Sequence, residues 1–154
     1  MDYSIDREKL NPLINEEISR VAALAFSENG QPLYDNIVTH SSDDAELERL
    51  QRDAIATLVK RTSDICTPVP GGFRQDESDT LIEVLPKLSF NVPDFEESFT
   101  TMVEDEITRY IVLNVCAAWF QERWSAKAEE YAARGQVAMD KAVTMLKTIK
   151  SPKR

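Results

Sequence analysis

The sequence predicts a mainly α-helical domain: a four-helix bundle-like body with a small extended or β-hairpin segment around residues 80–92. Three observations predict it. Four stretches carry apolar residues at three- and four-residue spacing, the signature of amphipathic helices. Between the second and third, over "TLIEVLPKLSFNV", the spacing changes to the partial alternation of a strand. The segment "YIVLNVCAAWF", Tyr110 to Phe120, is interrupted only by Asn114, in a chain of net charge −9. A helix apolar on every side is buried on every side, so this one belongs at the centre of the bundle or against another subunit.

The elements follow in order. In "NPLINEE", Asn11 is the expected cap of the first helix and Pro12 its first residue, where no N–H is needed. Ile14, Ile18, Val21, Ala22 and Ala25 form its stripe, and "SENGQP" ends it. "LYDNIV" reads as an apolar connector of about one helical turn. The second helix opens at "HSSDDAELE", with Ser41 and Asp44 resembling a capping box. Leu47, Leu50, Ala54, Leu58 and Ile65 line its inner face, and it is expected to run to about Cys66. "TPVPGGFRQDESD" reads as a loop. Ile82 and Val84, then Leu88, Phe90 and Val92, divided by Pro86, read as two short strands in a hairpin or an extended arm.

The third helix is expected from "PDFEES", capped by Asp94 with Glu97, with Phe95, Phe99, Met102, Val103, Ile107, Tyr110 and Ile111 on its stripe. The fourth follows a short break, with Ser125 as cap and an inner stripe of Ala128, Tyr131, Gly135, Ala138, Ala142, Met145 and Leu146. The short connection makes these two helices antiparallel neighbours. The whole chain, 1–154, reads as one domain, with an arm at about 67–93 and a basic tail at 147–154.

Composition bounds the function. The 154 residues are 42% hydrophobic, enough for a real core. A net charge of −9 argues against broad binding to nucleic acid phosphates or anionic membranes. The apolar segment is too short to span a bilayer, which takes about 20 residues, and "MDYSIDREKL" has no apolar signal core. Cys66 and Cys116 lack metal-ligand spacing and read as two reduced, buried thiols, with a disulfide as the alternative.

Candidate chemistry is sparse. His40 stands beside Ser41, Ser42, Asp43 and Asp44, but adjacent residues seldom converge as a catalytic triad, and a helix cap explains the cluster better. Glu16-Glu17, Glu104-Asp105-Glu106 and Glu129-Glu130 lack the paired Glu-x-x-His pattern of a helical metal site and read as solvated faces. Gly71-Gly72 is followed by Phe73, without the Lys-Ser/Thr of a phosphate loop. Trp119 and Trp124 read as core before ligand pocket. Asn114 is expected to find a hydrogen-bond partner across the bundle. No catalytic, cofactor or metal residues are assigned, and the chain is not read as an enzyme. Tyr110, Trp119, Phe120 and Trp124 are the candidates for core or subunit interface.

Two stretches carry a resemblance. In "DDAELERLQRDAIATLVKRTSDIC", Asp43, Asp44, Leu47, Leu50, Ala54 and Leu58 fall in the pattern of an acid-capped early helix before a Pro/Gly-rich loop. "ITRYIVLNVCAAWFQERWSAKAEEYAARGQVAMDKAVTMLKTIKSPKR" joins an apolar "Y-I-V…W-F" helix to a "Y-x-x-x-A/G" helix and a basic, Pro-containing terminus. Both are similar to the small head–tail connector, or adaptor, proteins of tailed phages and prophages, including members from gut-bacterial phages. Gly135 departs from the pattern, where a better helix former is expected.

The resemblance implies a structural virion protein without a cofactor, assembled in the host cytoplasm. It would form a ring of its own copies below the portal, contact portal and tail proteins, and line the DNA exit channel without sequence-specific binding. Lys147, Lys150, Lys153 and Arg154 would then be the portal-docking tail. Two rival readings stand beside this one: a monomeric or dimeric helical protein-binding regulator, and an all-α metal-dependent nucleotide hydrolase.

Overall fold

The computed structural model describes residues 1–75, 78–79 and 81–148. It is mainly helical, with a small three-stranded antiparallel sheet. Strand β1 (Asp2–Tyr3) leads into helix α1 (Arg7–Ala22), the single turn α2 (Tyr34–Ile37) and helix α3 (Asp44–Arg61). Strands β2 (Cys66–Val69), β3 (Phe73–Gln75), β4 (Leu81–Glu83) and β5 (Lys87–Phe90) follow, then helices α4 (Thr100–Phe120) and α5 (Ser125–Leu146).

Helix α4 lies at the centre, against α5, α3 and α1. Its buried residues, from Val103 and Ile107 through Tyr110, Leu113, Val115, Cys116, Trp119 and Phe120, point to all sides. Only Val112, Asn114 and Ala118 within Tyr110–Phe120 are half-buried. The other helices of the single chain therefore cover most of this segment.

Trp119, Tyr110 and Tyr131 in the core carry polar tips, and each tip fastens a distant element. Trp119 donates its indole N–H to the Ile37 carbonyl at 2.6 Å, pinning the α2 turn. Tyr110 donates to the Ala54 carbonyl at 2.8 Å in α3. The Tyr131 hydroxyl donates to the Glu17 carboxylate, joining α5 to α1. Buried aromatics with satisfied polar ends combine large apolar burial with fixed orientation.

Several boundaries differ from the sequence expectation. Helix α1 begins at Arg7, where the Asp6 carboxylate accepts from the Lys9 N–H at 3.1 Å. Asn11 is not a cap: its side-chain oxygen accepts from Gln51 of α3 at 2.6 Å. Pro12 lies inside the helix, so the Glu8 carbonyl has no partner one turn on. The helix stops at Ala22, and Ala25 is buried from the turn beyond it.

The box before α3 sits one residue earlier than expected, with the His40 backbone N–H donating to Asp43 at 2.8 Å. Helix α3 ends at Arg61, before Ile65 and Cys66. There the Thr62 hydroxyl donates back to the Leu58 carbonyl at 2.7 Å, and the chain turns into a strand. Helix α4 starts at Thr100, after a 3-10 turn, Glu97–Phe99, with Glu96 rather than Asp94 at its cap. Ser125 is the first residue of α5, and Trp124 stands at its cap position without a side-chain bond.

Candidate functional site

The segment expected as a hairpin or an extended arm around residues 80–92 contributes two strands and is not a hairpin in itself. β4 and β5 do not pair with each other. β4 pairs with β3, and β5 lies between β1 and β2. The pairs Cys66↔Phe90 and Val69↔Lys87 continue outward, past a break, into Phe73↔Glu83 and Gln75↔Leu81. The stretch read as a loop therefore forms the outgoing half of one long antiparallel ribbon, and "TLIEVLPKLSFNV" is the returning half.

At the base the ribbon belongs to the body. Cys66, Leu88 and Phe90 face inward and are buried with Tyr3, whose hydroxyl lies 2.8 Å from that of Thr108 in α4. The break is built on glycine. A Cβ on Gly71 would come within 2.8 Å of the Leu85 carbonyl and of Val84, so the two arms can close there only because that atom is absent. Gly72 has φ +74°, the left-handed region that glycine adopts without strain.

Beyond the break the ribbon leaves the core. Every side chain of β3 is exposed. Phe73 is 71% exposed and Leu81 66%. The outer ribbon is tethered by charge. Arg74 pairs with Glu8 of α1 at 3.0 Å, and Arg52 of α3 pairs with Glu83. Arg7, 6% exposed, binds Glu48 at 3.1 Å beside these pairs, and burial lowers its pKa. A two-stranded ribbon is marginal by itself in water, so these tethers matter to its position.

The other expected residues fall as follows. Tyr110, Trp119 and Phe120 are buried in the core of the chain. Trp124 is half-buried, with the Lys127 ammonium 5.5 Å from its ring centre. Lys147 pairs with Asp64 at 3.2 Å. Lys150, Lys153 and Arg154 lie outside the described residues.

Asn114 departs from the expectation. It lines a shallow groove with Ala117, Ala118 and Gln121, and its side chain makes no hydrogen bond among the described residues. His40 sits in the cap before α3, with Nε2 3.3 Å from the Asp35 carbonyl. Among the described residues, no three His, Cys, Asp or Glu side chains converge to hold a metal.

Cys66 and Cys116 are separate free thiols, and burial raises both, Cys116 to about 12. Burial also raises Tyr3, Tyr110 and Tyr131 to about 12 each. At Glu17 burial opposes the charge, but hydrogen bonds from Tyr131 and Arg20 outweigh it and lower the pKa.

The residues that sequence reasoning missed are Phe73 and Leu81. A lone aromatic in a Pro/Gly-rich stretch gives no periodic signal, and only the strand register brings the two together. No protein-family model, curated protein or solved structure matches the chain.

Proposed function

We propose that this chain is a structural subunit of a larger protein assembly, and specifically a head–tail connector of a tailed phage. In that role it forms a ring below the portal and lines the channel through which DNA leaves. The observation that carries the assembly reading is the outer ribbon. It extends beyond the core with Phe73 and Leu81 exposed on one face of the strands, and large apolar side chains held out on a charged protein favour a protein partner. The phage reading rests on the resemblance of the two helical stretches. The acidic balance suits a channel wall, because negative charge repels phosphate and lets DNA pass without sticking.

The test is co-sedimentation of the purified chain with portal particles from the same genome, with and without residues 151–154. Binding by the full chain is expected, weakened by loss of the basic tail and less affected by that loss at high salt. Failure of the full chain to bind would refute the connector role. Binding unchanged by the deletion would remove docking from the tail alone.

A second reading, a helical regulator that holds a peptide, is favoured by one feature. A groove of about 430 Å³ runs between α1, α4 and α5, with Leu13 exposed on it among Arg20, Arg109 and Glu16. Such a protein would bind its partner one to one rather than build a ring.

A further inference from the structure

We propose that the seam between α1 and α3 binds one buried water molecule, held between the Arg7 guanidinium and the Gln51 side-chain carbonyl.

Four polar side chains meet in this seam. Arg7 and Asn11 stand one turn apart on α1, and Glu48 and Gln51 three residues apart on α3, so each pair shares a helix face. Two direct bonds cross between the helices. Arg7 Nη1 donates to Glu48 Oε1 at 3.1 Å, and Gln51 Nε2 donates to Asn11 Oδ1 at 2.6 Å. Arg7 and Gln51 are therefore diagonal neighbours across the seam. Three further atoms of these two side chains, Arg7 Nε, Arg7 Nη2 and Gln51 Oε1, are buried with no hydrogen-bond partner among the described residues. Arg7 is 6% exposed and Gln51 0%, so bulk solvent does not reach them. Buried polar atoms seldom go unpaired, because a bare one forfeits its hydration and gains nothing in return.

The chemistry of the three atoms selects the occupant. Nε and Nη2 lie along one edge of the planar guanidinium with their N–H bonds pointing the same way, so a single oxygen can accept from both. Gln51 Oε1 only accepts, so the same occupant must also donate. An anion would suit Arg7 but would face Gln51 Oε1 and the Glu48 carboxylate. A metal cation would suit those oxygens but would face the guanidinium. An apolar group would leave all three atoms bare. Water both accepts and donates, carries no charge, and makes about three hydrogen bonds when buried in a protein. Two from Arg7 and one to Gln51 supply them. The water thus ties the first turn of α1 to the middle of α3.

Two experiments on the full chain test this. In a crystal structure at a resolution that orders internal waters, one water should lie about 2.7–3.2 Å from both the Nε–Nη2 edge of Arg7 and Gln51 Oε1. A direct bond from Arg7 to Gln51, or a halide ion in that place, would overturn the proposal. The second experiment compares the urea unfolding of Arg7→Met, Gln51→Met and the double variant. Removing either side chain already breaks the bridge, so the two losses should not add, and the double variant should lose clearly less than the two single variants together. Strictly additive losses would show that Arg7 and Gln51 share no bridge, and would overturn it.

Discussion

Single residues set the stability of the centre. Trp119 is 1% exposed and its indole N–H holds the Ile37 carbonyl. Trp119→Ala should therefore cost about 3–5 kcal/mol in urea unfolding, the usual range for emptying an aromatic core site. A loss below about 1 kcal/mol would mean that the site collapses freely around the smaller side chain. Gly135 behaves differently. It lies in the middle of α5, where glycine costs about 1 kcal/mol relative to alanine. A Cβ there would meet Leu113 Cβ at 3.5 Å and the Asn114 nitrogen at 3.6 Å, ordinary contacts. Gly135→Ala should raise stability by roughly 0.5–1 kcal/mol, and a loss would show that the two helices cannot accept the methyl group.

The titratable groups of the core give a pH dependence with a definite sign. The Tyr3, Tyr110 and Tyr131 hydroxyls and the Cys116 thiol are all raised to about 12. In the unfolded chain these groups lose their protons near pH 10 for Tyr and about 8.5 for Cys. The folded state keeps its protons to higher pH than the unfolded state does. Their contribution is complete below the unfolded values and is lost as pH rises toward about 12. Urea midpoints should fall steeply above about pH 10, in step with tyrosinate absorbance. A flat midpoint through that range would contradict the burial of these groups.

At the scale of elements, the ribbon divides at Gly71. The inner strands bury one face, with Tyr3, Cys66, Leu88 and Phe90, against the helices, and the outer strands are tethered by Arg74–Glu8 and Arg52–Glu83. Amide exchange should be fast in 73–75 and 81–83 and slow in 105–120, because local contacts set local stability. Arg52→Ala or added salt should speed it further in the outer strands only. Equal protection in both regions would show the outer ribbon packed firmly on the body.

The types of the long helices were legible in the sequence, because apolar spacing is a strong signal over sixteen residues or more. Their ends were less so. Asn11 and Pro12 imitate a helix start, and only the tertiary bond from Gln51 reveals that Asn11 is engaged elsewhere. The outgoing half of the ribbon was hidden by Pro68, Pro70 and the glycines. Pro68 is tolerated because β2 is an edge strand. The cluster of Arg109, Arg134 and Lys141 around Glu106 was hidden for another reason: its members come from two helices, and only their packing gathers the charges.

At the scale of the molecule, the helical body covers most of its own apolar segment, so that segment does not require a partner. Among the described residues, the outer ribbon carries Phe73 and Leu81 exposed beyond the core. The proposed role as an assembly subunit rests on that ribbon. The most direct measurement is the mass of the complex formed when the full-length chain is mixed, in excess, with portal rings of the same genome. One dominant species carrying a fixed set of copies that follows the portal's rotational symmetry is expected, and that species should be lost with Phe73→Ser and Leu81→Ser. Portal rings that remain at their starting mass would contradict it.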